Sequence, residues 1–331
     1  MRWAFMWLLV GCSDELSFGR LRASDAAACG SILVADEARC PGSEQALCSC
    51  GDYVSSGPTR VEGALAIGGL LSAGDLIAEQ LTLGGTQGAA LTGDLQVTGR
   101  LQSLGPVQGR HNVRVDADAR IAGDVRLDGL RVGGTLTLSP SAAYEIASAP
   151  PTPVRAPVEV RSPCDCTPKL DLGAQIDAAR KQNDNASIAL EPARGLRTFD
   201  TPRSLDLPCG RYYVDELYAA SPITLRVHDS VALYIDQRIV TESSASLTIT
   251  LDPSAELHLF IRRGITAAGP LTVTGGQAHL YVGGQDSFFF AAPTRIEATI
   301  YAPASELVTQ QPFELTGTAL VKRVVAEQLL T

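Results

Sequence analysis

The chain has 331 residues, 45% hydrophobic and only 19% charged, so it can bury one large core or two smaller ones and is no solvated tail or charged helical rod. Its 31 glycines and 19 prolines, against two methionines, favour turns and short strands over long helices. A formal net charge of −9 offers no basic surface for phosphates and argues against nucleic acid as a partner.

Residues 1–11 place one positive charge before an apolar run and end on a small residue, the layout of an export signal. The run from Trp3 to Val10 is far shorter than the roughly 20 apolar residues a membrane-spanning helix needs, and no later segment qualifies. Leu9-Val-Gly-Cys12 resembles the lipobox of bacterial lipoproteins. That resemblance implies cleavage before Cys12, acylation of its thiol and amine, and anchoring on a membrane by several acyl chains where one alone would hold weakly. Ser13 after the cysteine points to the outer membrane by the same resemblance. The alternative is a buried N-terminal strand ending at an ordinary cysteine.

Residues 12–60 are polar and cysteine-rich and read as a tether followed by a disulfide-linked cap. Besides Cys12 there are Cys29, Cys40, Cys48, Cys50, Cys164, Cys166 and Cys209, an odd number, so an oxidising compartment allows at most three disulfides and leaves one thiol. Spacing does not give connectivity. The preferred framework pairs Cys29 with Cys40, joins Cys48-Ser-Cys50 to Cys164-Asp-Cys166, and ties one of these segments to Cys209. Structural zinc wants two to four residues between paired cysteines, so neither segment is read as a metal site, and no cofactor is expected.

From 61 to 140 short alternating runs are broken by glycine, as in Leu65-Ala-Ile-Gly-Gly69, Leu81-Thr-Leu-Gly-Gly85 and Leu95-Gln-Val-Thr-Gly99. Period two with one apolar face, repeated between tight corners such as Gly74-Asp75, Gly93-Asp94 and Gly123-Asp124, predicts a β-solenoid. Residues 141–167, with prolines at 150, 151, 153, 157 and 163, are expected as a linker. An amphipathic helix follows within 168–186, with Thr167 as its cap, Pro168 in its first turn, and Leu172, Ile176 and Ala179 on one face.

Residues 187–331 carry the clearest repeat: Thr224, Thr248 and Thr272 stand 24 residues apart in matching strands. Between them Leu233-Tyr-Ile235 recurs as Leu257-His-Leu259, Leu280-Tyr-Val282 and Ile300-Tyr-Ala302. Four or five stacked coils would make a rod ~20–25 Å long. The fold class is thus all-β, a parallel β-helix with one short helix and a disulfide-linked N-terminal cap; an antiparallel sandwich is the alternative.

Together the lipobox, the glycine-cornered half, Pro163-Cys-Asp-Cys166, Asn183-Asp-Asn-Ala186, Leu207-Pro-Cys-Gly-Arg-Tyr-Tyr213 and the later repeats resemble a group of uncharacterised bacterial β-solenoid lipoproteins. The glycine-cornered half is more distantly similar to bactofilins, which polymerise by stacking solenoids end to end. The resemblance implies an exported, lipid-anchored envelope protein and transfers no activity.

No hydrolase elbow, zinc-protease helix, phosphate-binding loop or dinucleotide fingerprint occurs, so no catalytic residue is assigned. Asp229, Asp236, Asp252 and Asp286 read as turn formers at strand ends. If Leu233, Leu257, Leu280 and Ile300 point inward, Tyr234, His258, Tyr281 and Tyr301 point outward and stack. That ladder is either a binding face for a glycan or partner protein, or the seat of the helix, which must bury its apolar side. Phe288-Phe-Phe290 must turn at least one ring outward. Three functional readings follow: a non-enzymatic structural or interaction module with capacity for self-association, a glycan- or protein-binding module, and a carbohydrate-active β-helix enzyme.

Overall fold

The computed structural model describes residues 45–148, 151–328 and 330–331. Strand after strand pairs in parallel with the one a coil earlier and a coil later, so the chain winds into a three-sided β-solenoid. One inward row runs Tyr212, Leu233, Leu259, Leu280, Ile300, Ala319, Leu47, Leu65, Leu81, Leu101, Ala119, Leu136, each register-paired with the next. All twelve are buried, so one core runs through the whole stack, roughly 50–55 Å at ~4.8 Å per spacing. The shorter rod expected from the later repeats alone is exceeded because the two halves join.

The joint has an unusual topology. Gln45–Ser49 lies between Thr59–Ile67 on one side and Phe313–Ala326 on the other. The described chain therefore starts in the middle, advances to one end at Val154–Arg155, returns along the outside, and advances again from the far end until its last long strand lies beside its first. Leu330 bridges Thr59 and Phe313, so the C terminus supplies one side of a coil whose other two sides are Gln45–Ser49 and Tyr53–Ser55. The disulfide-linked N-terminal segment is accordingly an internal coil with both edges paired. Both halves advance along the axis in the same direction, which keeps every pairing parallel.

The glycine corners work as a repeated device. Asp52, Asp75, Asp94, Asp118 and Asp124 each accept, at 2.8–3.0 Å, a backbone N–H of the next coil's corner. Coils must approach closely for this: a Cβ on Gly93 would stand 2.5 Å from the Asp75 nitrogen, and Gly88 adopts φ of 67°.

Three expected boundaries move. Tyr144–Ile146 and Val154–Arg155 are strands that extend the first half into the expected linker. The helix spans Leu172–Lys181 and is capped by Asp171, whose Oδ1 accepts the Ala174 N–H at 2.9 Å, not by Thr167. Cys164 and Cys166 pin the preceding segment, and the Lys169 N–H donates to the Tyr301 hydroxyl, so helix begins only past these anchors. The second half starts at Arg197–Thr198. None of the described helices is long and apolar enough to cross a membrane.

Candidate functional site

The outward row beside the core row reads Tyr213, Tyr234, Phe260, Tyr281, Tyr301, Leu320, Cys48, Ala66. Parallel register brings like residues one spacing apart, and the rings stack: Tyr234 on Phe260 at 4.6 Å and 6°, Phe260 on Tyr281 at 4.8 Å and 12°. Tyr301 tilts against Tyr281 at 6.4 Å.

His258 does not belong to this ladder. Leu233 pairs with Leu259 and Tyr234 with Phe260, because residues 252–256 separate Leu251 from Leu257 where only 228–230 separate Val227 from Val231. The longer turn shifts the strand by two positions and puts Phe260 on the rung. His258 lies alongside, stacked on His279 at 4.9 Å, with Nε2 3.0 Å from Glu256 Oε1 and Nδ1 3.5 Å from the Tyr281 hydroxyl. Burial lowers its pKa to about 4, outweighing the opposing pull of Glu256.

The ladder is covered. Leu172, Ile176 and Ala179 of the helix pack with Tyr213, Tyr234, Phe260, Tyr281 and Tyr301 in one apolar cluster. Ten helical residues rise ~15 Å, which matches the three ~4.8 Å spacings between the Tyr281 and Tyr213 rungs. Arg262 reaches up from the sheet to Asp177 of the helix while its Nε holds Asp236 at 2.5 Å. Asp236 also accepts the Tyr213 hydroxyl at 3.1 Å and lies 3.5 Å from Arg180. Tyr234, Tyr281 and Tyr301 are each 5% exposed, so the expected binding face is the seat of the helix. Burial raises the Tyr234 hydroxyl and pushes that of Tyr281 up to about 12.

The cover is also stapled. Cys48 bonds Cys164 and Cys50 bonds Cys166, with Cα separations of 6.2 and 5.7 Å. The two Cys-x-Cys segments thus join each other twice, which corrects the expected tie to Cys209: no sulfur of either segment remains for it. Cys209 is itself disulfide-bonded. Cys12 with the lipobox, Cys29 and Cys40 lie outside the described residues.

Other groups singled out from the sequence are bound into the scaffold. Asp252 meets His228 at 3.0 Å and Asp229 accepts the Ser230 N–H. Phe288 and Phe290 point into the core and Phe289 outward, half-buried. Among the described residues, no group of three His, Cys, Asp or Glu side chains has metal-holding geometry. Two features escaped sequence reasoning. Tyr213 was hidden by its neighbour Tyr212, although alternation from the inward Tyr212 marks it as outward. The cluster of Arg197, Phe199, Tyr218 and Glu242 left no periodic signal, because it forms at a corner between two coils.

No curated protein and no solved structure matches the chain. A family model matches residues 164–330, from the first strap cysteine through the whole second half to the C-terminal bridge. The chain belongs to the family described as Domain of unknown function (DUF7305).

Proposed function

We propose that the protein is an exported, lipid-anchored structural or interaction module of a cell envelope, without catalytic activity. One observation carries this reading: among the described residues a single core runs through the stack, while the outward aromatic ladder is sealed by the chain's own stapled helical segment. What such a scaffold offers is a rigid spacer with regular faces. The two strap disulfides support an oxidising compartment, where such bonds persist, and the lipobox supports anchoring through Cys12.

Self-association belongs to one end of the rod. At the helix end, Asp184 and Asn185 take up the edge of Gly210–Val214: the Arg211 and Tyr213 N–H groups donate to their side chains, the Asp184 backbone N–H donates to the Arg211 carbonyl, and the Asn185 side-chain amide donates to the Tyr213 carbonyl. Leu190 and Leu196 close the core beneath. Such a cover blocks strand addition along the Gly210–Val214 side of this end, which disfavours growth into filaments and favours pairing through the opposite end.

Membrane fractionation and acyl-label incorporation test the anchor: the natural chain should label and sediment with membranes, and Cys12→Ser should do neither. A Cys12→Ser chain that still labels and fractionates with membranes would overturn it. Sedimentation velocity over a wide concentration range should give nothing larger than a dimer, whereas concentration-dependent growth into long species would refute the one-ended reading.

A further inference from the structure

Phe199 is the most exposed large apolar side chain among the described residues, at 60%. Its backbone is not loose. The Tyr218 and Ala220 N–H groups donate to the Leu196 and Thr198 carbonyls at 2.9 and 3.0 Å. The Thr198 hydroxyl donates to the Ser221 carbonyl at 2.7 Å, and the Ser221 hydroxyl to the Phe199 carbonyl at 2.9 Å. The backbone that carries this apolar ring is therefore held by its own coil and the next, which lowers the ordering cost when something binds.

Around the ring stand groups of a second kind. Tyr218 lies 5.9 Å away, its plane inclined by 43°, and the Arg197 guanidinium sits over both rings at 5.8 and 5.9 Å. The Tyr218 hydroxyl donates to Glu242, and Glu216 lies 3.9 Å from Arg197. A carboxylate has about four acceptor sites and a guanidinium five donors, so these pairings leave both with capacity to spare.

We infer that Phe199, Tyr218, Arg197, Glu216 and Glu242 form a binding site for an uncharged glycan. A pyranose has an apolar C–H face that fits one aromatic ring and a rim of hydroxyls that donate and accept, which is the pairing offered here. A polyanion would meet the Glu216 and Glu242 carboxylates beside the Arg197 guanidinium, so the cluster favours an uncharged ligand. A protein partner of standard size would need about 800 Å² of complementary surface on this side, and Phe199 is flanked instead by exposed Glu191, Arg194 and Asp200. This site deepens the interaction role proposed above, and places it away from the buried ladder.

The test is calorimetric titration of the full chain in detergent with cellohexaose, mannohexaose and chitohexaose. At least one should bind. Phe199→Ala should then weaken binding at least tenfold with an unchanged thermal midpoint, as should Arg197→Lys, which keeps the charge and loses the planar fork. Val154→Ala, at an exposed apolar residue near the opposite end, should change nothing. No binding by any of the three sugars, or binding that survives Phe199→Ala, overturns the proposal. Capture of an envelope protein that is lost on Phe199→Ala, without sugar binding, would hand the surface to a protein partner and overturn it as well. Either failure leaves the anchoring result through Cys12 standing, so the two readings are separable.

Discussion

Cys48 pairs in parallel register with Leu320, so one rung near the start of the described chain and one near its end are neighbours in the same sheet. Beside them Leu47 meets Ala319 in the core row. Leu47→Ala should cost about 2–5 kcal/mol, the range for a large-to-small change in a packed core. Because that core is continuous, denaturant unfolding should remain one transition at a lower midpoint. Two separated transitions would show that the halves are independent bodies.

The two strap disulfides close nearly the same loop, since each joins residues 116 apart. By chain-entropy arithmetic the first is worth about 4–5 kcal/mol, while the second closes only a ring of a few residues and adds about 2 kcal/mol. Replacing one pair by alanine should therefore lower stability modestly, and replacing both should lower it by more than twice as much. Equal, additive losses from the two pairs would contradict this.

Phe260→Ala tests the ladder as packing. Removing a fully buried ring between Tyr234 and Tyr281 should cost about 3–5 kcal/mol. The double change Tyr234→Ala and Tyr281→Ala should likewise lower the thermal midpoint strongly, where an exposed recognition face would have tolerated it. Hydrogen exchange should show the helix losing protection first, since its apolar side has no other partner.

The pH dependence has a defined sign. His258 is held neutral in the folded chain with its pKa lowered to about 4, below the ordinary histidine value of about 6.5, so the unfolded chain binds the extra proton. Stability from this group is complete above pH 6.5 and is lost as pH falls from there toward 4, on the order of 3 kcal/mol in all. Exposed His228, raised by its hydrogen bonds to Asp252 and Asp206, works in the opposite sense: its contribution is present in acid and fades as pH rises through its folded pKa. Comparing midpoints at pH 7.5 and 4.5, His258→Gln should reduce the acid loss. An unchanged loss would assign it elsewhere.

How far the molecule could be read from its residues depends on whether a feature repeats. The repeat of Thr224, Thr248 and Thr272 was legible because these strands recur at a constant 24 residues whatever the lengths of the individual turns, and they pair as spaced. His258 was expected on the rung that Phe260 fills, because alternation reports which side a residue faces and not how long the preceding turn is. Thr167-Pro168 is a sound local start signal for a helix, overruled by two disulfides and the Tyr301 hydroxyl acting from distant coils. The pairing of Leu47 with Ala319 has no local trace at all, since each half alone looks like a stack with open ends. The corner at Phe199 was illegible for the same reason: its partners come from successive coils and occur once.

The composite coil closed by Leu330 bears on how the molecule folds. Its sides come from residues 45–55 and from residue 330, so among the described coils this one joins the segments furthest apart in sequence and carries the highest contact order. Until Phe313–Ala326 docks, the edge of Gln45–Ser49 is unpaired, a surface on which nascent copies can swap or aggregate. A circular permutant that joins Thr331 to Gln45 and opens between residues 157 and 162 would keep every coil next to its neighbour in sequence. It should fold faster and with less aggregation into the same stack.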